Sequence, residues 1–588
     1  MRLKCKMLKL KVLCFVLLLG LGLSGQISAQ QRTVQGTVVD NQNSPLPGVT
    51  VVVKGTTQGT VTNADGNYSI SGVSPDATLV FSFVGMRKQE VIVGNQTTID
   101  ITMEVDAIGI EEVVAVGYGV QKKVNLTGSV GVIDAEKLEN RSIGRLEQAL
   151  QGQVSGLKVT QISGQPGNES ISMQIRGRST FTSNPILTIV DGVPSSISQL
   201  NPNDIESISV LKDASSTAIY GARAAGGVIL ITTKTGKAGK PRINYDSYVG
   251  LQYATRLPEK VSAYEHATLF REAELNDNPT TEVFTYSQED LDRFSSQDWK
   301  DHNRYEAVFS EALQTQHNIS ISGGSENYDY FLSAGYLYQD GIAINTKYDK
   351  YNLQLNQNIK LGDKLKFSFK GSFISDERTA PSQANYPGGP PRGLSTLLSY
   401  TYRWGNQAPF KTLNGDWAIV EGISPAQVGI NSKEGGEQVL KRKKVMGNFN
   451  LNYSFTDNLR ISGMYGINWG QNRQRDYSTR MKFYNPNNPD IVGYDVNTNA
   501  LEIENYSSIY QKSQFLINYD KIFSNHELSV LAGYTQEWSY QDNESVGRRD
   551  FLTDNIYVIS AGSSDPINWS TSGSASDWAL SSVIGRVN

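Results

Sequence analysis

Residues 351–373 read YNLQLNQNIKLGDKLKFSFKGSF and contain two runs of alternating apolar and polar side chains. In residues 351–360, Tyr, Leu and Ile take odd positions, with Gln357 as the exception, and Asn, Gln and Lys take the even ones. In residues 365–373, Leu, Phe and one Gly take odd positions, and only residues 361–364, Leu-Gly-Asp-Lys, separate the two runs. Since successive side chains of a β-strand point to opposite faces, the stretch predicts a tight hairpin with one apolar and one polar face.

The same alternation recurs along the second half of the chain. Further runs lie at residues 243–253, 330–338, 449–455, 459–469, 515–519, 528–534 and 578–588. Tight connections alternate with long polar ones; the tight ones are 362–364, 456–458 and 524–526, and the long ones are 375–443, 471–509 and 541–576. Such segments and connections are typical of an antiparallel transmembrane β-barrel. A soluble sandwich or solenoid is the alternative, but loops of about thirty to seventy residues are unusual in compact domains.

Residues 238–588 are therefore predicted to form barrel strands, ten by our count including the nine runs above, of which the last lies at 578–588. Barrels that enclose a folded domain have about twenty-two strands, and ten would close around too narrow a space. The sequence thus predicts an incomplete barrel from a truncated chain. We expect an open, curved sheet whose last strand has a free edge.

The composition limits the class of protein. The chain has 29 Tyr, 54 Gly and 7 Trp but only 4 His, which suits many short strands and a membrane interface. No segment after residue 29 has eighteen consecutive apolar residues, so a membrane crossing would require a closed barrel. Five of the 54 basic residues lie in the first eleven positions, which leaves 49 against 58 acidic residues and makes a nucleic-acid-binding surface unlikely on charge grounds.

Residues 1–29 have the three parts of a secretory signal peptide. A basic start is followed by an apolar run of twelve residues, 12–23, and by a small-residue end at Ala29. We expect export by the Sec route and cleavage after Ala29. Both cysteines, Cys5 and Cys14, lie in this segment, so the mature chain is expected to contain neither disulfides nor cysteine-based metal sites.

Residues 30–105 carry short strand-like runs separated by turns, which predicts a small β-sandwich. The motifs GTVVD (36–40), PLPGVTVVVKGT (45–56) and TNADGNYSI (62–70) resemble the carboxypeptidase-regulatory-like domain, an accessory module. Asp65-Gly66 is interpreted as a plain turn, because the later carboxylates of a calcium loop are missing.

Two further units precede the alternating runs. Residues 106–123 contain a short β-prone stretch that could pair with the sheet edge of a partner, or could be a linker or a further strand of the sandwich. Residues 124–237 predict a mixed α/β unit, with a helix at 142–152 and strands at 171–175, 186–190 and 228–232.

The motifs EEVVAVGYGVQKK (111–123), IRGRSTF (175–181), VDGVP (190–194) and IESISVLKDASSTAIYGARAAGGVILITTKTGK (205–237) resemble the SusC/RagA family of TonB-linked outer-membrane proteins. The resemblance implies a plug domain at 124–237 and a TonB-box region at 106–123. The implied coupling residues are Glu111, Glu112, Val113, Val114, Ala115, Val116, Gly117, Tyr118 and Gly119. The implied plug signature residues are Arg176, Gly177, Asp191, Gly192, Lys212, Asp213, Ala214, Tyr220, Gly221, Arg223, Gly226 and Gly227.

The function implied by the resemblance is TonB-dependent import of a nutrient across the outer membrane. The nutrient is expected to be a glycan or a peptide, and the partners to be TonB, a SusD-like surface lipoprotein and the lipid bilayer. A passive pore, a surface adhesin or a non-functional fragment is the alternative. An enzyme is not expected, since His266, His302, His317 and His526 are scattered and no cofactor or metal motif is present.

Overall fold

The computed structural model describes most of the chain after residue 31. The described residues are 32–41, 43–56, 58–83, 86, 88–104, 113–116, 119–122, 129–134, 144–177, 186–296, 302–384, 392–403, 406–407, 409–412, 414–419, 427–486, 488–523 and 526–587. The predicted signal peptide, residues 1–29, lies outside them. The chain divides into two compact units, Met1–Val113 and Val114–Asn588.

The first unit is a two-sheet β-sandwich, as its strand-like runs predict. Its strands are β1 (Arg32–Asp40), β2 (Thr50–Val53), β3 (Gly59–Val61), β4 (Asn67–Val73), β5 (Thr78–Ser82), β6 (Gln89–Ile92) and β7 (Ile101–Met103). One sheet has the order β4-β1-β7 and the other β3-β2-β5-β6. Tyr68 and Phe81 meet edge to face in the core, with ring centroids 5.3 Å apart. Burial raises the pKa of Tyr68 to about 12, and the Tyr68 hydroxyl donates to the carbonyl of Ile99.

The turn at Asp65-Gly66 is made by the backbone and by one side chain. The Asn63 side-chain oxygen accepts hydrogen bonds from the backbone N–H groups of Asp65 and Asn67. Gly66 has φ +74°, and a Cβ there would lie 2.5 Å from the carbonyl oxygen of Val38. The glycine is therefore required by conformation and by close approach, as expected of a plain turn.

The second unit begins with two short paired strands, β8 (Val113–Val116) and β9 (Gly119–Lys122), and continues into a mixed α/β domain. The elements of that domain are β10 (Val130–Asp134), α1 (Leu146–Ala149), β11 (Leu157–Gln161), β12 (Ile171–Ile175), β13 (Leu187–Val190), β14 (Val193–Pro194), β15 (Ile205–Leu211), α2 (Ala214–Thr217) and β16 (Val228–Thr233). A five-stranded sheet has the order β10-β15-β16-β13-β14, and β11 pairs with β12. We call this domain the plug.

The helix predicted at 142–152 is shorter in the structure. Among the described residues of this range, 144–152, only Leu146–Ala149 is helical, and the chain turns at Gly152, which has φ +74°. The predicted apolar face is nevertheless present, since Leu146, Ala149 and Leu150 are fully buried in the plug core. The wrong helix length follows from the glycine, whose positive φ ends the helical conformation.

The rest of the chain forms one antiparallel ten-stranded sheet with long connections. Its strands are β17 (Gly239–Gln252), β18 (Ala312–Gly324), β19 (Tyr328–Asp340), β20 (Lys347–Leu361), β21 (Leu365–Pro381), β22 (Gly436–Ser454), β23 (Leu459–Ser478), β26 (Ala500–Phe523), β27 (His526–Arg549) and β28 (Trp569–Val587), in that order. Within the described residues, β17 and β28 each pair on one side only, so the sheet is open, as expected from the sequence.

Burial along these strands is the reverse of that in a water-soluble protein. On β20, Tyr351 and Leu353 are 54% and 50% exposed, whereas Asn352 and Asn356 are 5% and 1% exposed. The polar side chains thus face the plug, and the apolar ones face away from it. An outward apolar face with an inward polar face is what a membrane-spanning sheet requires.

The long connections are shorter than predicted, because the strands continue past the alternating runs. The predicted stretches 375–443, 471–509 and 541–576 become 382–435, 479–499 and 550–568. A hairpin of β24 (Met481–Asn485) and β25 (Asn488–Val496) occupies most of the second. Beyond the apolar band the outward side chains are polar as well, as in the paired residues Glu377 and Lys441, so backbone pairing persists without an alternating sequence.

In the described parts of the connections there are five α-helices. They are α3 (Ala263–Asp277), α4 (Gln288–Ser295), α5 (Arg304–Val308), α6 (Leu394–Arg403) and α7 (Gln427–Ile430). In the part of the chain that the structure describes, no helix has the length and apolar character needed to cross a membrane.

Candidate functional site

The predicted coupling segment contains extended backbone in the structure. Val113, Val114, Ala115 and Val116 form β8, which pairs with β9. Glu111, Glu112, Gly117 and Tyr118 lie outside the described residues, and Gly119 begins β9. A role for this segment in docking a partner stays a prediction.

Asp213 of the plug signature holds the start of the plug in place. Its Oδ2 accepts a hydrogen bond of 2.5 Å from the backbone N–H of Ser129, and its Oδ1 accepts one from Arg176. These contacts, with the Ser129 N–H as the largest cause, lower the pKa of Asp213. The neighbouring Lys212 donates to the carbonyl of Ser155 at 3.0 Å. The signature therefore fixes the backbone where the coupling segment joins the plug.

Arg176 and Gly177 belong to the same contact. Arg176 has φ +57° and Gly177 has φ +129°, so the chain reverses directly after β12. This turn brings the Arg176 guanidinium to Asp213. Positive φ is rare for a residue with a side chain, and it is tolerated where the surroundings hold the backbone.

The turn Asp191-Gly192 attaches the plug to the wall, by which we mean the plug-facing side of the ten-stranded sheet. Asp191 Oδ1 lies 2.5 Å from Lys370 Nζ of β21, and the Asp191 carbonyl accepts from the Asn448 side chain of β22. The Gly192 carbonyl accepts from Lys512 Nζ of β26 at 3.0 Å. Within the plug, Asp191 Oδ2 accepts from the Thr233 hydroxyl at 2.7 Å. One turn is thus bonded to three strands of the wall.

Arg223 makes a second attachment. Its two terminal nitrogens donate to the two oxygens of Glu537 on β27, at 2.7 and 2.9 Å. The Glu537 side chain is buried and also accepts from the Tyr510 hydroxyl at 2.7 Å. The Arg223 guanidinium lies 5.9 Å from the ring centroid of Trp578 on β28. Bidentate pairing fixes the orientation of both groups as well as their distance.

The remaining signature residues serve packing and chain direction. Gly221 has φ +69°, and Gly227 has φ +93° with no room for a Cβ beside Ile175. Tyr220 packs against an apolar cluster that includes Leu211 and Val228. Ala214 starts α2, and Gly226 lies in the turn before β16. We assign these five residues to the packing of the plug.

Two glycines of the wall leave room for plug side chains. A Cβ at Gly466 of β23 would lie 2.4 Å from Val193, and one at Gly335 of β19 would lie 2.9 Å from the Asn201 side chain. Asn201 instead donates to Asn318 Oδ1 of β18 at 2.8 Å. The glycines at these two positions therefore allow the wall to approach the plug side chains closely.

Asp204 is a buried carboxylate between the plug and the wall. Its Oδ1 accepts from Ser333 Oγ at 2.5 Å and its Oδ2 from Asn352 Nδ2 at 3.3 Å. Burial raises the pKa of Asp204 to about 6, although the Ser333 and Asn352 hydrogen bonds and the charge of Lys234 act in the opposite direction.

This pKa predicts a pH dependence of stability. Asp has a pKa of about 3.9 in an unfolded chain, so the folded protein binds the proton more tightly. Stability from this group is therefore fully present below about pH 4 and is lost as the pH rises through about 6, by on the order of 3 kcal/mol. Asp204→Asn is expected to flatten the melting temperature of the purified protein between pH 4 and 7. Asp213→Asn is the comparison: the pKa of Asp213 is lowered, so its contribution to stability changes only below about pH 4, and its replacement should leave the profile between pH 4 and 7 unchanged. A pH profile unchanged by Asp204→Asn would contradict the assignment.

The histidines do not assemble into a metal site. His266 on α3 packs against Phe270 and Tyr286, and burial lowers its pKa. His317 Nδ1 lies 2.8 Å from the Tyr245 hydroxyl. Among the described residues, no group of three His, Cys, Asp or Glu side chains is arranged to hold a metal ion.

Sequence reasoning found the plug half of the interface and missed the wall half. The sequence alone did not single out the wall residues of the interface, which are Lys370, Asn448, Lys512 and Glu537. A charged side chain on the inward parity of a strand was the available signal, because such a group needs a partner when it is buried.

Comparison with known proteins agrees with this geometry. The family model of the CarboxypepD_reg-like domain matches residues 34–115, and that of the TonB-dependent Receptor Plug Domain matches residues 122–228. TonB-dependent receptor P3 of Formosa agariphila is 30% identical over 590 residues, which cover 99% of this chain and 55% of that protein. TonB-dependent receptor SusC of Bacteroides thetaiotaomicron is 31% identical over 515 residues, which cover 82% and 49%.

Among solved structures, the RagAB peptide importer in its 'open-open' state aligns with a TM-score of 0.69 and 25% identity. The alignment covers 81% of this chain and 54% of that one. The chain spans about half the length of the curated relatives it matches.

A plug packed against the polar side of an antiparallel sheet, whose other side is apolar and exposed, defines the class of TonB-dependent receptors. Among proteins of that class, the chain is similar in sequence to the receptors P3 and SusC and in structure to the RagAB peptide importer.

Proposed function

We propose that this chain acts in the energised import of a nutrient across the outer membrane. The observation that carries the proposal is the chemistry of the plug attachments. Asp191 and Arg223 are held to the wall by ion pairs and hydrogen bonds, which water can replace when the plug moves. If apolar contacts held the plug, its displacement would expose apolar surface to water, at a free-energy cost of about 25 cal/mol per Å².

Force is proposed to enter through residues 111–119. TonB would bind this segment as an added strand, since a short extended segment can pair with a sheet edge. The pull would reach Ser129 first, where Asp213 and Arg176 hold the backbone. The edge strand β10 follows directly, and in the five-stranded sheet it pairs with β15 alone. The plug signature thus lies where a pulling force arrives.

The domain bounds belong to the same proposal. Residues 1–29 are the Sec signal peptide, 30–105 the carboxypeptidase-regulatory-like domain and 106–123 the coupling segment. Residues 124–237 are the plug, and 238–588 contribute ten strands to a barrel of about twenty-two. A barrel closed by further strands would pair the free edges of β17 and β28.

The cargo is proposed to be a glycan, with a peptide as the second candidate. The family resemblance supports the first, and the similarity to a structure described as a peptide importer supports the second. A SusD-like surface lipoprotein is the proposed outer partner. Tyr402, which is 47% exposed on α6 and meets Tyr305 at 5.6 Å, offers an aromatic face in the long connections. Tyr386 and Trp404 are further candidates for an aromatic contact with the cargo, and they lie outside the described residues.

Deletion of residues 110–119 tests the coupling. Strains carrying the deletion in the full chain are expected to take up labelled oligosaccharide or peptide no faster than a strain that lacks the gene. The amount of protein in the outer membrane should stay unchanged, because β8, the strand within the deleted segment, belongs to neither the ten-stranded sheet nor the sheets of the plug. Uptake that persists without the segment or without TonB would instead identify a passive pore, and surface binding without uptake would identify an adhesin.

A further inference from the structure

Two cavities lie between the plug and the wall, one on each side of the Asp191–Lys370 ion pair. The first has a volume of about 30 Å³ and is lined by Ser195, Ser372 and Met446 among others. The second has a volume of about 230 Å³ and is lined by Tyr220, Thr232 and Asn450 among others. Three residues line both cavities: Asp191, Lys370 and Asn448. We call these three the gate residues.

The two cavities follow each other along the strands. On β21, Ser372 lies farther than Lys370 from the tight turn at 362–364. On β22, Met446 lies farther than Asn448 from the tight turn after Ser454, and Asn450 lies nearer to it. The smaller cavity is therefore the upper one, toward the long connections, and the larger is the lower one, toward the tight turns.

The gate residues close the space between the cavities by direct bonds. Lys370 Nζ lies 2.5 Å from Asp191 Oδ1, and the Asn448 side chain donates to the Asp191 carbonyl. The Asp191 side chain is 8% exposed and that of Lys370 is 17% exposed, so the contact is shielded from bulk water. Both bonds end on Asp191, so a movement of the Asp191-Gly192 turn would break them together with the bonds that tie Asp191 to Thr233 and Ile231 of β16.

The upper cavity needs a polar occupant. The Ser372 hydroxyl is buried there, and within the described residues it has no hydrogen-bond partner. A buried hydroxyl is normally bonded to protein or to an ordered water. A cavity of this size holds about one water molecule, and the lower cavity has room for about seven at about 30 Å³ each.

We propose that Asp191, Lys370 and Asn448 form a gate between two hydrated cavities, on a pathway along the wall for polar solutes that carry hydroxyl or amide groups. The solute class follows from the lining, in which Ser372, Thr232, Tyr220 and Asn450 offer hydroxyl and amide partners. Displacement of the Asp191-Gly192 turn joins the two cavities into one passage. The inference rests on the proposed import function, for which it supplies a route.

Thiol labelling tests the gate. In the full chain with Cys5 and Cys14 replaced by alanine, Ser372→Cys reports on the upper cavity. The probe is 2-hydroxyethyl methanethiosulfonate, a neutral hydroxyl-bearing reagent, added to isolated outer membranes. Labelling is expected to be about tenfold faster when Lys370→Met is added, the change that corresponds to about 1.4 kcal/mol in the free energy of opening. Asp191→Asn is the second variant and should act in the same direction.

Because Asn450 donates a hydrogen bond to the gate residue Asn448, the matched control is Thr232→Cys, which also lines the lower cavity. Its labelling rate is expected to be the same with and without Lys370→Met, because it lies on the tight-turn side of the gate. The proposal is overturned if Ser372→Cys reacts equally fast in both backgrounds, or if Lys370→Met accelerates both cysteines alike, which indicates general loosening. Labelling of isolated membranes requires no energy source, so a gate that opens in this assay stands even if deletion of residues 110–119 leaves uptake intact.

Discussion

Leu353→Arg is expected to destabilise the membrane-inserted sheet by about 2–4 kcal/mol, the cost of arginine near the middle of a lipid-facing strand. Leu353 is half exposed on β20, and its paired neighbours Ala334 and Phe373 lie on the same outward face. The yield of folded protein in the outer membrane and its urea-unfolding midpoint in lipid vesicles measure the effect.

Val61→Arg is the matched control for that substitution. Val61 is 56% exposed on β3 of the first unit, where an exposed side chain meets water. Its replacement should change stability by no more than about 0.5 kcal/mol. If Leu353→Arg proved as harmless as Val61→Arg, the outward face of the sheet would lie in water, and the membrane assignment would be wrong.

Arg223→Ala is expected to weaken the attachment of the plug by about 1.5–3 kcal/mol, because it leaves the buried Glu537 carboxylate with one fewer charged partner. The guanidinium is itself 40% exposed, which places the effect below that of a fully buried pair. Hydrogen exchange of the plug strands in the purified protein measures it, as faster exchange along β15 and β16.

A double-mutant cycle separates this pair from a general loss of packing. Arg223→Ala and Glu537→Gln together should cost less than the sum of the single changes, by about 1 kcal/mol or more. The surface pair Arg293–Asp290, with side chains 44% and 28% exposed, supplies the comparison, and Arg293→Ala should cost no more than about 0.5 kcal/mol. Additive effects of Arg223→Ala and Glu537→Gln would show that the two side chains do not act as a pair.

The strands could be predicted from the sequence where their two faces lie in different environments. Alternation in residues 528–534 follows from lipid on one side and the plug on the other, and it located β27 correctly. The strand itself runs on to Arg549, with polar residues on both faces. Its upper half is set by pairing with β26, a non-local interaction that no local pattern reports.

For the contacts between the plug and the wall, only the residues on the plug side could be predicted from the sequence. Asp191 and Arg223 stand in recognisable plug motifs, but their partners Lys370 and Glu537 lie 179 and 314 residues farther along the chain. The sequence separation leaves the pairing undetermined until the sheet register is known. The sequence thus identified Asp191 and Arg223, but it did not identify the residues that they contact.

The length of the strands on the side of the long connections affects how a cargo is first captured. β26 has 24 residues and is about 80 Å long, whereas a tilted membrane crossing needs only about 9–11 residues. More than half of this strand therefore lies outside the hydrocarbon core, and its N-terminal part forms a stalk that carries the long connection before it. Connections mounted on such a stalk are already partly ordered, so a passing molecule can be held there with a smaller loss of conformational entropy than free loops would require.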